Sequence, residues 1–383
     1  MTSQLAPSGA AFYVPPAPLP DGEHGDPIWA AELAGVAAFA EAATNERVLY
    51  RSENVHGEPI VVSGIIALPK HPAPGNPVVS WAHGTVGAAD LAAPSRDTVD
   101  GPAHQVNVEP HGLVNDLLRA GYAVVATDYE GLGTPGNHPY LVGESEARSV
   151  LDIVRAARIL HPELSGNVAV LGHSQGGHAA IFAAHHAPKW TPELRLVGVT
   201  AYAPGASVAD GFRLIPQSPI THEVIGFFPL FLIGAVAADP SIDLRALLTD
   251  RAYELYQRDI PTRSRFGLSE EESFGGILGT DLLKPEAIDG PDYQKVLAVL
   301  EANNPVVTSE VGLRVVQGLD DPRVLAVTTS ALVDQLTELN GSENVEYVTY
   351  ETVADNPISP HFGVLTTDTP ATLAWLAAEF AKG

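Results

Sequence analysis

The chain has 383 residues, of which 45% are hydrophobic and 17% charged, as in an ordinary globular protein. Its formal net charge of −25 repels nucleic acid and anionic membrane surfaces, so we exclude nucleic-acid partners. Without cysteine, the chain has no disulfide, thiol nucleophile or thiolate metal site. No apolar run reaches the roughly 18 residues that a membrane span needs, so we expect no stable span.

The N-terminal part carries little sign of a folded unit. Residues 1–27 are rich in proline and predict an extended arm that wraps the rest of the chain. The first residues have neither the basic nor the apolar region of a signal peptide. The sequence therefore leaves two compartments open: the cytoplasm, or secretion after removal of a leader. Residues 28–44 are rich in alanine and predict a short helix.

Strands and helices alternate through the next part of the chain. Because such alternation forms right-handed crossovers, it predicts an α/β protein with a mostly parallel central sheet flanked by helices. Apolar runs predict strands at 47–52, 60–68, 78–82, 122–127, 168–172 and 196–202, and helices at 115–120, 145–160 and 175–186.

The alternation stops after residue 205. Residues 206–308 contain helical patterns but no buried strand, and the alternation then resumes to a last predicted helix at 370–382. We therefore predict a core formed by 28–205 and 309–383, with a large helical cap, or lid, inserted at 206–308 over the carboxyl ends of the strands. Its apolar sequence, interrupted by proline and glycine, is typical of a lid over a lipophilic pocket. An ordinary helical subdomain is the alternative.

One stretch carries the strongest chemical signal. Gly172-His-Ser-Gln-Gly176 lies between an apolar β-branched run and an alanine-rich helical run. This is the strand, turn and helix of a nucleophile elbow, in which the two glycines allow close packing and the serine is strained. The context indicates Ser174 as a nucleophile. The alternative is a glycine-rich turn with an incidental serine.

A serine hydroxyl needs a base beside it and an acid that orients the base. In the α/β-hydrolase order both follow the serine, and His361 is the only histidine after residue 222. We therefore assign His361, on a loop after the last predicted strand, as the base. Asp320 and Asp321 both follow the strand predicted at 313–317. The loop form Gly-x-x-Asp-x-x-Val selects Asp321 as the acid, and Asp320 is the alternative.

Acyl transfer also needs hydrogen-bond donors for the oxyanion. The backbone N–H of Gln175, directly after the nucleophile, is one candidate. The second comes from the loop after an earlier strand, where the N–H of Thr85, with Gly84 and the Thr85 hydroxyl as additions, is well placed. We expect His83 to pack beneath this oxyanion hole rather than to act in catalysis.

Further polar residues are candidates to border the site: His83, His173, Asp128 and Tyr129. Asp128 and Tyr129 follow the strand predicted at 122–127, and a loop held by satisfied carboxylates is the alternative interpretation. Neither a nucleotide-binding glycine motif nor a second set of ligands near His185-His186 is present. We therefore expect no cofactor and no metal.

In these motifs the sequence resembles the secretory lipase family of α/β-hydrolases, of which fungal lipase A is a member. The resemblance covers most of the chain. It implies an α/β-hydrolase fold, esterase or lipase activity, a triad of Ser174, Asp321 and His361, and a helical cap that carries the acyl tunnel. The matching segments are Ser80-Trp-Ala-His-Gly-Thr-Val-Gly, Ala93-Pro-Ser, Ala126-Thr-Asp-Tyr-Glu-Gly-Leu-Gly, Gly172-His-Ser-Gln-Gly-Gly, Gln317-Gly-Leu-Asp-Asp and Ser359-Pro-His.

We therefore expect a monomeric or homodimeric serine hydrolase that cleaves small-molecule carboxylic esters through an acyl-enzyme. The runner-up is an acyltransferase, which forms the same acyl-enzyme and differs in how well the lid excludes water. A non-enzymatic binding protein on a hydrolase scaffold is a different class, and a peptidase or C–C bond hydrolase would keep the triad. The net charge of −25 favours neutral or apolar esters over anionic ones.

Overall fold

A nine-stranded sheet forms the centre of the computed structural model, which describes residues 6–382. The strands lie side by side in the order β1-β2-β3-β5-β4-β6-β7-β8-β9. In chain order they are β1 (Pro27–Glu32), β2 (Ala42–Glu53), β3 (Pro59–Pro69), β4 (Val78–Ala82), β5 (Ala123–Thr127), β6 (Asn167–His173), β7 (Arg195–Tyr202), β8 (Leu313–Gly318) and β9 (Val345–Tyr350).

Helices cover both faces of this sheet. The twelve described helices are α1 (His104–Asn107), α2 (His111–Arg119), α3 (Gly143–Leu160), α4 (Gln175–Trp190), α5 (Val208–Leu214), α6 (Phe228–Ala238), α7 (Leu244–Leu247), α8 (Asp250–Asp259), α9 (Arg265–Leu268), α10 (Pro291–Ala302), α11 (Ala326–Asn340) and α12 (Pro360–Ala381). Helices α3, α4 and α11 pack on one face, and α2 and α12 pack on the other.

Six neighbouring strands, from β5 through β4 to β9, are parallel. Every residue of β4 and of β5 is buried, as expected of strands with helices on both faces. Strands β1, β2 and β3 add an antiparallel edge. The prediction of a mostly parallel sheet flanked by helices is confirmed.

The predicted helix at 28–44 is wrong. These residues form β1, a turn and the first residues of β2, with Ala30 opposite Val48 in an antiparallel pair. The Trp29 indole nitrogen donates a hydrogen bond to the Phe12 carbonyl at 2.8 Å, and both side chains are buried. Tertiary packing therefore overrides the helix propensity of the alanines. Of the predicted N-terminal arm, residues 1–5 lie outside the described residues.

Between β7 and β8 the chain leaves the sheet and forms α5 to α10. These helices have a hydrophobic core of their own, in which the Phe212 and Phe228 rings stack with their centroids 5.2 Å apart. The Ser207 N–H donates to the Asn304 side-chain oxygen at 2.9 Å, which joins the start of this segment to its end. The boundaries of a cap at 206 and 308 stay a prediction. No helix within residues 6–382 is long and apolar enough to cross a bilayer.

The tightest backbone packing lies where β6 passes into α4. A Cβ on Gly172 would lie 1.9 Å from the Gly176 carbonyl oxygen, and a Cβ on Gly176 would lie 1.9 Å from the Ala82 carbonyl oxygen. Real Cβ contacts are never this short. Both glycines are therefore required for β4, β6 and α4 to pack at this distance.

We expect Gly176→Ala to lower the free energy of unfolding by about 3 kcal/mol or more, because α4 must move away from β4. Gly112→Ala is the matched control, since the space around the exposed Gly112 in α2 is open. Alanine there should raise the free energy of unfolding by about 0.5 kcal/mol through helix propensity. Urea unfolding followed by circular dichroism measures both. Equal stability of the two variants would contradict the packing argument.

Candidate active site

The turn between β6 and α4 holds Ser174 in a strained conformation. Its backbone has φ 59° and ψ −115°, which a residue with a Cβ rarely adopts and which costs about 1–3 kcal/mol. Two backbone hydrogen bonds hold it: the Ser174 N–H donates to Tyr202 O at 2.8 Å, and the Gly205 N–H donates to Ser174 O at 3.0 Å. The end of β7 and the residues after it therefore fix the turn.

His361 and Asp321 form a buried pair. The His361 ring is 3% exposed and its Nδ1 lies 2.6 Å from Asp321 Oδ2. The other carboxylate oxygen of Asp321 accepts the backbone N–H groups of Arg323 at 2.8 Å and Val324 at 3.1 Å. The neighbouring Asp320 is exposed. Asp321, and not Asp320, is therefore the residue that can orient the imidazole.

Neighbouring groups stabilise the ionised form of Asp321. Burial by itself would raise the pKa of this carboxyl group, but the His361 hydrogen bond and charge, together with the two backbone N–H donors, lower the pKa below its usual value. Asp321 is therefore a carboxylate at neutral pH. Its Oδ2 accepts the hydrogen bond from His361 Nδ1, which fixes the tautomer with hydrogen on Nδ1.

His361 lies in the first turn of α12 and not, as predicted, on a loop. Helix α12 begins at Pro360, ten residues before the predicted start at 370, because proline is favoured as the first helical residue. The Ser359 hydroxyl accepts the His361 N–H at 3.3 Å and caps the helix. The dipeptide Ser359-Pro360 is a helix-start signal that could have revealed this.

Ser174 and His361 line the same cavity, which has a volume of about 720 Å³. It lies between the carboxyl ends of β6 and β8 and the segment from α5 to α9. Within residues 6–382 the Ser174 hydroxyl has no hydrogen-bond partner. Hydrogen bonds between a nucleophile and its base are often loose before substrate binds.

The predicted oxyanion donors lie at the same cavity: Gln175, Gly84 and Thr85. Gln175 is the first residue of α4, so its backbone N–H has no intrahelical acceptor. A Cβ on Gly84 would lie 3.5 Å from Ser174 Cβ, which puts this loop beside the serine. The Thr85 hydroxyl lies 2.8 Å from the Tyr140 hydroxyl, a partner that the sequence did not suggest.

Buried side chains hold Gln175 in place. Its amide nitrogen donates to Glu146 Oε1 at 2.8 Å and lies 2.9 Å from His138 Nε2. His138 Nδ1 in turn lies 2.9 Å from Glu130 O. A neutral ring with hydrogen on Nδ1 satisfies both contacts, because Nε2 then accepts from Gln175.

A second buried pair lies under the elbow. His178 Nδ1 is 2.7 Å from Glu146 Oε2, and His178 Nε2 is 2.8 Å from the Asn303 carbonyl oxygen. The Nε2–H group donates to the Asn303 carbonyl oxygen, and a hydrogen bond joins Nδ1 to the Glu146 carboxyl group. Asn303 directly follows α10, so this pair connects α4 to the predicted cap. The sequence analysis missed it, because Glu146 and His178 share no motif.

Of the four residues predicted to border the site, only His173 lines the cavity. Its Nε2 donates to the His361 carbonyl oxygen at 2.9 Å, and the two rings pack with centroids 4.3 Å apart. Burial lowers the pKa of His173 well below its usual value, so the ring is neutral. His173 therefore positions the backbone of His361.

The other three, His83, Asp128 and Tyr129, lie behind the cavity and do not line it. Asp128 is fully buried and accepts hydrogen bonds from the Ser63 hydroxyl at 2.6 Å and from the N–H and hydroxyl of Ser95. The Tyr129 hydroxyl donates to His83 O at 3.0 Å. The hydrogen bonds of Asp128 to Ser63 and Ser95 agree with the alternative interpretation, a loop held by satisfied carboxylates. Within residues 6–382 no three metal-ligating side chains form a group.

The sheet order and the sharp turn between β6 and α4 define an α/β-hydrolase fold. The fold of Candida antarctica lipase A in its closed state matches with a TM-score of 0.73 at 21% identity, over 86% of this chain and 77% of that one.

Sequence comparison adds similarities to lipases. A family model described as "Secretory lipase" matches residues 100–260. A probable inactive lipase of Mycobacterium tuberculosis is 25% identical over 403 residues, covering 98% of this chain and 83% of that protein. Lipase A of Moesziomyces aphidis is 25% identical over 237 residues, covering 61% of this chain and 50% of that protein. The resemblance to the secretory lipase family is confirmed, and the chain is related to lipase and esterase hydrolases.

The buried histidines make stability depend on pH. Burial lowers the pKa of His83 to about 4 and that of His138 to about 3, whereas unfolded histidine titrates near its ordinary value. As pH falls from about 6.5 to about 4, the unfolded state therefore binds more protons, and the free energy of unfolding falls. We expect a loss of roughly 2 kcal/mol per buried histidine between about pH 7 and pH 4.5.

Urea unfolding at these two pH values measures the loss. His138→Gln should lose less stability than the wild type on acidification, because one of the buried neutral histidines is gone. His71→Gln, at an exposed position, is the matched control and should lose as much as the wild type. If His138→Gln and the wild type lose equal amounts, His138 is not neutral in the folded protein.

Proposed function

We propose that this protein is a serine hydrolase that cleaves carboxylic esters through an acyl-enzyme, with Ser174 as nucleophile, His361 as base and Asp321 as the orienting acid. One observation carries the proposal. Ser174 and His361 line one cavity, and His361 Nδ1 lies 2.6 Å from a buried Asp321 carboxylate. With hydrogen on Nδ1, the imidazole has its free lone pair on Nε2, the nitrogen that must take the serine proton.

In the proposed reaction, Ser174 Oγ attacks the ester carbonyl carbon while its proton passes to His361 Nε2. The carbonyl oxygen becomes an oxyanion that accepts hydrogen bonds from the N–H groups of Gln175 and Thr85. When the tetrahedral intermediate collapses, the bond to the leaving alcohol breaks and His361 protonates that oxygen. Water, deprotonated by His361, then attacks the acyl-enzyme and releases the acid and free Ser174.

The apolar residues in the cavity wall support the proposal that the substrate is an ester with an apolar part. Its volume of about 720 Å³ is within the range of small-molecule sites. Residues from the core and from the segment between β7 and β8 both contribute apolar side chains. Among them are Leu141, Val208, Leu214, Phe227, Phe231 and Leu325.

A non-catalytic role is the second candidate, because one relative that aligns with 98% of this chain is named a probable inactive lipase. Against it stands the chain's own site. Ser174 keeps the strained elbow conformation, and Asp321 and His361 keep a short buried contact. A scaffold that only binds ligands has no need of either feature. We therefore propose an active enzyme.

The first prediction concerns the triad. We expect the wild type to hydrolyse p-nitrophenyl esters and Ser174→Ala to lose activity by about 10⁴-fold or more. Asp321→Asn should lower kcat by about 10³–10⁴-fold, because the amide no longer fixes the imidazole tautomer. Asp320→Asn removes the same charge one residue away, at an exposed position, and should keep the wild-type kcat.

Release of p-nitrophenol from esters ranging from acetate to palmitate measures these rates. Circular dichroism shows whether each variant is folded, and analysis of products with an added alcohol separates hydrolysis from acyl transfer. A folded wild type that turns over none of these esters and is not labelled at Ser174 by a phosphonate would overturn the proposal in favour of a binding protein.

The second prediction concerns the oxyanion donors. If the Thr85 hydroxyl donates to the oxyanion, Thr85→Val removes that donor and keeps the shape, and kcat should fall about 10²-fold with little change in KM. Thr85→Ser keeps the hydroxyl and should retain kcat within about threefold. If both variants retain kcat, the backbone N–H groups alone stabilise the oxyanion.

A further inference from the structure

The cavity contains an arginine that has no carboxylate partner among the described residues. Arg265, the first residue of α9, is only 2% exposed and lines the cavity that holds Ser174. Its Nε and Nη1 atoms are buried without a hydrogen-bond partner among residues 6–382. Its backbone N–H donates to Val86 O at 2.8 Å, so the residue is fixed to the loop that carries Gly84 and Thr85.

A second guanidinium lies close by. Arg323, two residues after the proposed acid, lines the same cavity. Both cations lie near the Phe266 ring, whose centroid is 4.8 Å from Arg265 Cζ and 5.5 Å from Arg323 Cζ. Within the described residues no carboxylate oxygen comes within 4.0 Å of either guanidinium. Glu223 is exposed and also lines the cavity. Its charge acts on both guanidinium groups from more than 4.0 Å away.

A second buried arginine, Arg314, gives a comparison for Arg265. Arg314 is 3% exposed, and its two terminal nitrogens donate to the two Asp368 oxygens at 2.6 and 2.7 Å. A buried charge without such a partner is destabilising. Burial and the Arg323 charge lower the pKa of Arg265, but only to about 10, so the group stays charged at neutral pH. Arg265 is therefore as deeply buried as Arg314 but has no carboxylate partner among the described residues.

We propose that Arg265, assisted by Arg323, binds a carboxylate carried by the substrate, so that the preferred esters are those with a free carboxylate at one end. The proposal rests on the ester hydrolase function proposed above. A guanidinium can hold a carboxylate through two parallel N–H···O bonds, and the aromatic rings of Phe227 and Phe266 beside it limit competition from water. The apolar walls would hold the chain that connects the carboxylate to the reacting ester.

This inference departs from the expectation that the net charge disfavours anionic esters. Exposed charges are screened over about 8–10 Å at physiological salt, whereas a buried guanidinium is screened much less. The charged side chains that line the cavity are the two arginines, Glu223 and Asp210, and the Asp210 carboxylate is paired with Arg213 at 3.1 Å. The site can therefore attract a carboxylate although the protein as a whole is strongly negative.

Paired substrates test the proposal on the wild type alone. Mono-p-nitrophenyl suberate carries a free carboxylate on the acyl side, and its methyl ester is the neutral partner. The acetate ester of 6-hydroxyhexanoate and its methyl ester place the carboxylate on the alcohol side. We expect kcat/KM to favour the carboxylate form by about tenfold or more in one of the two pairs, and that pair identifies the side. A preference for the methyl ester in both pairs would overturn the proposal.

Variants assign the preference to the arginine. Arg265→Met should lower the ratio of kcat/KM between the carboxylate and methyl esters by about tenfold or more. Arg251→Gln removes the same charge from an exposed position in α8 and should leave the ratio at the wild-type value. An equal fall in both variants would indicate a long-range effect of net charge and contradict a site at Arg265.

A binding measurement separates failure of this inference from failure of the ester hydrolase proposal. In the Ser174→Ala background, monomethyl suberate should raise the melting temperature more than dimethyl suberate does, and the added Arg265→Met change should remove the difference. If the wild type hydrolyses no ester but monomethyl suberate still binds through Arg265, only the catalytic proposal fails. If neutral esters are hydrolysed and monomethyl suberate binds no better than dimethyl suberate, only the carboxylate site fails.

Discussion

The close approach of β4, β6 and α4 is the constraint on which the site depends. Because Gly172 and Gly176 carry no side chain, the helix can start directly over the strand ends. The chain must then turn within one residue, which forces Ser174 to positive φ and lifts its side chain above the sheet. The same turn makes Gln175 the first helical residue, with an N–H that has no intrahelical acceptor. One packing requirement thus produces both a projecting hydroxyl and a donor beside it.

Buried polar contacts keep this arrangement in place. Glu146 accepts from the Gln175 side chain and from His178, and His178 reaches Asn303 at the end of α10. On the other side of the serine, His173 donates to the His361 carbonyl group. Because an unpaired buried polar group is destabilising, each such contact resists displacement of its partner. A few short hydrogen bonds therefore join the turn at Ser174 to helix α12, which carries His361, and to the segment between β7 and β8.

The sequence allowed predictions that rest on a short motif or on the order of residues along the chain. The elbow lies within five residues, and the order of serine, aspartate and histidine needed no knowledge of distances, so Ser174, Asp321 and His361 could be named together. The helix at 28–44 was predicted wrongly because pairing with β2 overrides the propensity of alanine. Glu146 and His178 lie 32 residues apart and Arg265 belongs to the most irregular part of the chain. Glu146 and His178 stand out because they are buried and hydrogen-bonded to each other, and Arg265 because it is buried without a hydrogen-bond partner among the described residues. Composition and periodicity do not show burial or hydrogen bonds.

The contrast between Arg314 and Arg265 shows how a structure can indicate a ligand. Both side chains are almost fully buried, and in the part of the chain that the structure describes only Arg314 has a carboxylate partner. Folding alone would favour replacing a buried, unpaired arginine by an apolar residue. Arg265 lines the cavity of the proposed nucleophile and is attached by its backbone to the proposed oxyanion loop. An anion bound there would complete its hydrogen bonds and would lie in the same cavity as Ser174. In this proposal the partner of Arg265 is a carboxylate of the substrate. The segment between β7 and β8, which contains Arg265, would then help to select the ester.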